Sequence, residues 1–123
     1  MASPRSQPSA PGKSGLRASL KKVSPVFAAL GDETRLRIIA ALCAGGARSI
    51  AQLTADTTIT RQAVTKHLHV LAEAGLVRDV KQGRERRWEF EPSKVEQARR
   101  SLDAISRRWD EALARLKACV EAE

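Results

Sequence analysis

Over the first 75 residues, apolar positions fall at helical rather than alternating spacing. Leu16, Leu20, Val23, Phe27 and Leu30 recur every three or four residues. This predicts a first helix with one buried stripe, interrupted or kinked near Pro25 and ended at Gly31. Asp32 opens a second helix, whose stripe is Leu36, Ile39, Ala40 and Cys43 and whose end is the Gly45-Gly46 pair. Ser49 is a good N-cap for a short helix from Ile50 to about Ala55, with Ile50 and Leu53 turned inward. After a DTTIT turn, Thr60 caps a further helix that runs to Ala74, is anchored by Val64, Leu68 and Leu71, and stops at Gly75. A short helix, a tight turn and a second helix with a polar outer face make a helix-turn-helix.

The period then changes. Residues 76–81 (LVRDVK) and 86–91 (RRWEFE) read as short strands joined by Gln82-Gly83-Arg84-Glu85, a connector suited to a hairpin. Trp88 and Phe90 share one face of the second strand, and Arg87, Glu89 and Glu91 share the other. Pro92 suits the first turn of a last helix of nearly 30 residues. Val95, Ala98, Leu102, Ile105, Trp109, Ala112, Leu116 and Cys119 step along it by threes and fours, which is a heptad seam. That seam is longer than a domain of this size can cover, so part of it is expected to pack on a second subunit. The expected fold is mainly α with a small β-hairpin, a winged helix-turn-helix of order α-α-α-α-β-β-α. Its single domain spans residues 16–123. Residues 1–15, dense in Ser, Pro and Gly, offer little to bury and read as a disordered basic tail.

Composition narrows the possible partners. The 123 residues are 42% hydrophobic and 29% charged, as in a folded globule, and no apolar run is long enough to span a bilayer. The net charge is +8, which favours phosphate backbones or anionic membranes over acidic-patch partners. Arg5, Lys13, Arg17, Lys21 and Lys22 precede the first acid, and Arg78, Lys81, Arg84, Arg86 and Arg87 gather in the hairpin. The acid-free start also resembles an organellar transit peptide, but a disordered basic tail explains the same composition. Cys43 and Cys119 form no metal-ligand spacing and no disulfide framework, and no secretory apolar segment is present, so a reducing cytoplasm is expected. Each cysteine falls on an apolar stripe and reads as a small core residue. No nucleophile-base pair, paired carboxylates or phosphate-cradling loop points to an enzyme; Asp32-Glu33 sits at a helix start, where the dipole accounts for it.

On the helix after the turn, Arg61, Gln62, Thr65, Lys66 and His69 take the outward positions around the apolar anchor. A helix entering a major groove needs short polar or basic side chains on one face and an anchor on the other. Gln62 is suited to adenine and Arg61 or Lys66 to guanine, while Thr60, Thr65 and the helix N-terminus suit phosphates. Arg84 at the hairpin tip, with Arg86 beside it, is placed to reach a minor groove or clamp a phosphate. His67 lies beside the anchor and reads as structural.

Three stretches resemble the ArsR/SmtB family of bacterial repressors across residues ~20–121: VFAALGDETRLRIIAAL, ITRQAVTKHLHVLAEAGLV and GRERRWEF. The resemblance implies double-stranded DNA as partner and a homodimer built from the first and last helices, with Phe27, Leu102, Ile105, Trp109 and Leu116 at its interface. It implies a repressor of the bacterial cytoplasm and nucleoid, reading an inverted repeat through recognition helices ~34–36 Å apart. Many members hold metals with Cys-x-Cys in the first helix of the helix-turn-helix, or with Asp, His and Glu on the last helix. This chain has Ile50 to Ala55 at the first place and no histidine after His69, so neither metal sensing nor a cofactor is expected. Another branch senses thiol oxidants with cysteines on the same two helices as Cys43 and Cys119, in a different register, and a thiol-responsive repressor using these two cysteines stays open as an alternative. Two further readings stay open: a winged domain that docks protein, and a nonspecific nucleic-acid binder driven by charge.

Overall fold

The computed structural model describes residues 13–55 and 57–122; residues 1–12, most of the expected tail, lie outside them. The elements are α1 (Lys13–Leu30), α2 (Glu33–Gly45), α3 (Ile50–Ala55), α4 (Arg61–Glu73), β1 (Val77–Gln82), β2 (Glu85–Phe90) and α5 (Ser93–Glu121). The order is the one the patterning implies. None of the helices is long and apolar enough to cross a membrane.

Two compact units are distinguishable, one spanning Ser24–Glu96 and the other made of residues 13–23 with 97–122. The larger unit holds α2, α3, α4 and the hairpin. Its core is built from Val26, Ala29, Ile38, Leu42, Leu53, Val64, Leu68, Leu71, Leu76, Val77 and Trp88. In the smaller unit, Leu16 and Val23 of α1 and Ala98, Ser101 and Ala104 of α5 are buried, and the hydroxyls of Ser19 and Ser101 hydrogen bond at 2.8 Å.

Side-chain caps fix where the helices of the larger unit begin. The Asp32 carboxylate accepts from the Arg35 N–H at 3.0 Å and Thr60 Oγ1 from the Ala63 N–H at 3.1 Å, each satisfying a backbone donor that has no partner within the helix. Ser49 and Gln52 form a reciprocal capping box: the Ser49 N–H donates to Gln52 Oε1 at 2.9 Å, and the Gln52 N–H donates to Ser49 Oγ at 3.2 Å. At the other end of α4, the Gly75 N–H donates to the Ala72 carbonyl and the Leu76 N–H to the Leu71 carbonyl. This Schellman closure requires Gly75 at φ 79°. Strand β1 begins at the next residue but one, Val77.

The hairpin pairs antiparallel from Val77↔Phe90 to Gln82↔Glu85, leaving a turn of two residues rather than the expected connector of four. Gly83 at φ 64° followed by a residue of negative φ is the pattern of a type II′ turn, whose twist suits the strands.

Several helix faces differ from the sequence expectation. α1 runs unbroken through Pro25, starts at Lys13 and buries Val26 and Ala29, leaving Phe27 half-buried. On α2 the buried residues are Ile38 and Leu42; Leu36, Ala40 and Cys43 are exposed. On α5 the small residues Ala98, Ser101 and Ala104 take the inner side, and Leu102, Ile105, Trp109, Leu113, Leu116 and Val120 form an outer stripe. Leu113 and Val120, not in the expected seam, lie on this outer stripe, and Ala112 is half-buried. Both cysteines are exposed and neither is core filler.

Two expectations follow for stability. Leu68→Ala, at a position with no exposure, costs about 2–5 kcal/mol in urea unfolding through lost burial and the cavity left behind. The Arg35 N–H bonded to Asp32 holds this carboxyl below its ordinary value of 3.8. A depressed folded pKa means that the cap stabilises fully above that ordinary value and is lost as pH falls through the lower folded one. The difference in unfolding midpoint between wild type and Asp32→Ala is therefore constant from pH 5 to 7 and closes below about pH 4.

Candidate nucleic-acid interface

Because Val64, Leu68 and Leu71 are wholly buried, the opposite face of α4 has to point outward. Thr60, Arg61, Gln62, Ala63, Thr65, Lys66 and His69 line one open concavity of about 550 Å³. Six of these seven are the candidates named from the sequence, brought together by a single helix and its cap. Arg61, Gln62, Lys66 and His69 are exposed, and no ion pair engages Arg61 or Lys66 among the described residues. The helix N-terminus adds unbonded N–H groups and the positive end of the dipole at the same place.

The two threonines differ in what they can offer. Thr60 Oγ1 accepts from the Ala63 N–H, so its own hydroxyl proton stays available to a phosphate. Thr65 Oγ1 donates to the Arg61 carbonyl at 2.8 Å, and in that rotamer it has no proton for an anion. His69 stands 6.5 Å from the ring of the buried Trp88, tilted by 57°, which sets this end of the concavity against the hairpin's indole.

The hairpin sorts its cations by pairing. Arg78 donates to Glu89 at 2.7 Å, which raises its pKa further, and Glu91 lies 3.6 Å away. Arg87 pairs with Glu85 at 2.9 Å. Arg86, a sequence candidate for DNA, is bound to Asp79 at 2.7 Å and lies over the Trp88 ring at 5.5 Å. Its guanidinium is already engaged, which sets it apart from the other candidates. Arg84 at the turn and Lys81 in β1 carry no ion pair among the described residues. Lys81 faces Arg86 across the ladder, and the Asp79 carboxylate is engaged by Arg86. Lys81 was not singled out from the sequence; only the strand register separates it from the neutralised arginines.

The backbone of Arg48 was also missed. Its N–H donates to the Trp88 carbonyl at 2.9 Å and its carbonyl accepts from the Trp88 N–H at 2.7 Å, an antiparallel bridge on the open side of β2. Residue 48 directly precedes the capping box of α3, so the bridge ties the hairpin to the first helix of the helix-turn-helix. His67 points away from the concavity: its Nδ1 lies 3.4 Å from a guanidinium nitrogen of Arg35 and 3.9 Å from Asp32. That agrees with a structural place for it.

Residues 30–80 match the family model of a helix-turn-helix domain. The chain is 35% identical over 95 residues to the HTH-type transcriptional regulator Rv2034 of Mycobacterium tuberculosis, covering 77% of this chain and 85% of that one. It is 42% identical over 67 residues to the HTH-type transcriptional regulator YuzN of Bacillus subtilis, covering 50% of this chain and 73% of the relative. Among solved structures, an ArsR-like transcriptional regulator from Rhodococcus sp. RHA1 superposes with a TM-score of 0.78 at 36% identity, over 87% of this chain and 97% of that one. With the α4 concavity and the hairpin beside it, these likenesses mark a DNA-binding regulator and not an enzyme, and the chain belongs to the ArsR/SmtB family of winged helix-turn-helix transcriptional regulators.

Proposed function

We propose that this regulator is a homodimeric, metal-independent repressor that reads an inverted repeat and acts on the nucleoid in the cytoplasm. One observation carries the reading. The polar side chains of the first turns of α4 line a single open concavity while the reverse side of the same helix is locked into the core. Gln62 reads adenine, Arg61 or Lys66 reads guanine, and Thr60 with the helix N-terminus holds phosphate. Arg84 contacts the flanking backbone or minor groove from the hairpin tip, with Lys81 as a second contact. Arg86 acts indirectly, by bracing Asp79 and Trp88.

The dimer is supported by the outer stripe of α5. Trp109 is 63% exposed and Leu116 60%, and the stripe repeats by threes and fours for five turns. Large apolar groups in such a row are the seam of a helix pair. Phe27, half-buried on α1, is kept as a further interface member. Metal independence rests on the cysteine-free sequence IAQLTA of α3 and on the lack of any histidine after His69.

Selection of duplexes from a random library at two salt concentrations is expected to enrich an inverted repeat. Gln62→Ala should relax one base position by about 1–3 kcal/mol. Retention without a motif would favour the nonspecific binder, and no retention the protein-docking module. On the selected site, Arg84→Ala lowers the slope of log affinity against log salt by about one per hairpin, and Arg86→Ala leaves it unchanged. Trp109→Asp is expected to give monomers by light scattering; an unchanged dimer would remove Trp109 from the seam.

A further inference from the structure

Arg35 is the third residue of α2, and its guanidinium folds back over the start of its own helix. Nε donates to the Ala29 carbonyl at 2.5 Å and one terminal nitrogen to the Ala28 carbonyl at 3.4 Å. Both carbonyls lie in the last turn of α1, where no intrahelical donor remains and the dipole is negative. The other terminal nitrogen reaches His67 Nδ1 at 3.4 Å, on α4. One planar fork therefore touches the end of α1, the start of α2 and the middle of α4. All of these groups lie within Ser24–Glu96.

We infer that Arg35 and His67 form a positioning couple that sets the seat of α4 for sequence-specific DNA reading. The inference rests on the DNA-reading role proposed above. A guanidinium has donors only, so the contact requires Nδ1 of His67 to be the acceptor, with the ring proton on Nε2. His67 lies in the same turns of α4 as Lys66 and His69 but on the other side, so fixing its ring fixes the rotation of the helix that carries the reading face. Asp32, 3.9 Å from Nδ1 and bonded to the backbone of Arg35, stands second to the guanidinium in reach. Lysine carries its three donors on one nitrogen and lacks the planar fork that spans two carbonyls and an imidazole from three separate nitrogens.

The test combines DNA binding with a readout that needs no DNA. Nitrogen NMR of the wild type is expected to show His67 unprotonated at Nδ1 and protonated at Nε2, and Arg35→Lys to show mixed tautomers. On the selected operator, His67→Ala and Arg35→Lys each lose about tenfold in affinity, the scale of one charge-assisted hydrogen bond. Binding to unrelated duplex should stay within about twofold, since His67→Ala removes no contact to phosphate. His67→Asn, which restores an acceptor at the Nδ1 position, should recover most of the loss. The double variant should cost no more than Arg35→Lys alone, as coupled residues do. A proton on Nδ1 in the wild type, equal losses on specific and unrelated DNA, additive losses, or no rescue by asparagine would each overturn the couple. A wild type that selects no duplex would overturn the repressor reading instead, and the tautomer would still decide whether the couple exists.

Discussion

The face of α4 proposed to read DNA depends on the burial of the other side of the same helix. Val64, Leu68, Leu71 and the adjoining Leu76 have no exposure at all. Each such side chain contributes about 1.5–3 kcal/mol by leaving water. Together they rival the net stability of a domain, ~5–15 kcal/mol, so α4 cannot roll about its axis without giving up much of what keeps the unit folded. Fixing four apolar side chains inward fixes Arg61, Gln62, Lys66 and His69 outward. The caps at Thr60 and Gly75 then set how much of the helix is presented.

Electrostatics refines what packing sets out. Of the hairpin arginines, Arg78, Arg86 and Arg87 are matched by carboxylates on the same ribbon, and exposed pairs of this kind add little to stability. Their effect is to localise charge: the positive potential is concentrated at the turn and along the first turns of α4 rather than spread over the sheet. Net charge alone, +8, says nothing of this arrangement.

How much could be read beforehand follows from how degenerate each pattern is. α4 was legible because its apolar positions occupy one stripe, its start carries a capping threonine and its end a glycine that must take positive φ. α2 was misread because LRIIAALCA is apolar around most of the helix, and periodicity cannot choose among faces that are all greasy. On α5 the inner side went to Ala98, Ser101 and Ala104, since small residues let helices approach closely, while size alone favoured the residues that point out. The hairpin was placed correctly but its turn was read too long. Which arginines stay unpaired depends on cross-strand register, and the bridge from Arg48 to Trp88 joins residues 40 positions apart by main-chain atoms that leave no trace in side-chain pattern.

The closure of α4 at Gly75 has a mechanical consequence. Leu76 is bonded back into the helix through its N–H, its carbonyl accepts from the Glu91 N–H, and β1 begins at Val77. No linker separates the helix from the hairpin, and the Arg48 bridge braces the hairpin from the other side. Helix and hairpin therefore form one joined unit, and under the proposed function that joint fixes the spacing between the part that would face the groove and the part that would face its flank. A joint of three residues, held to the helix on one side and to the strand on the other by main-chain hydrogen bonds, passes a change in the seat of the helix on to the hairpin.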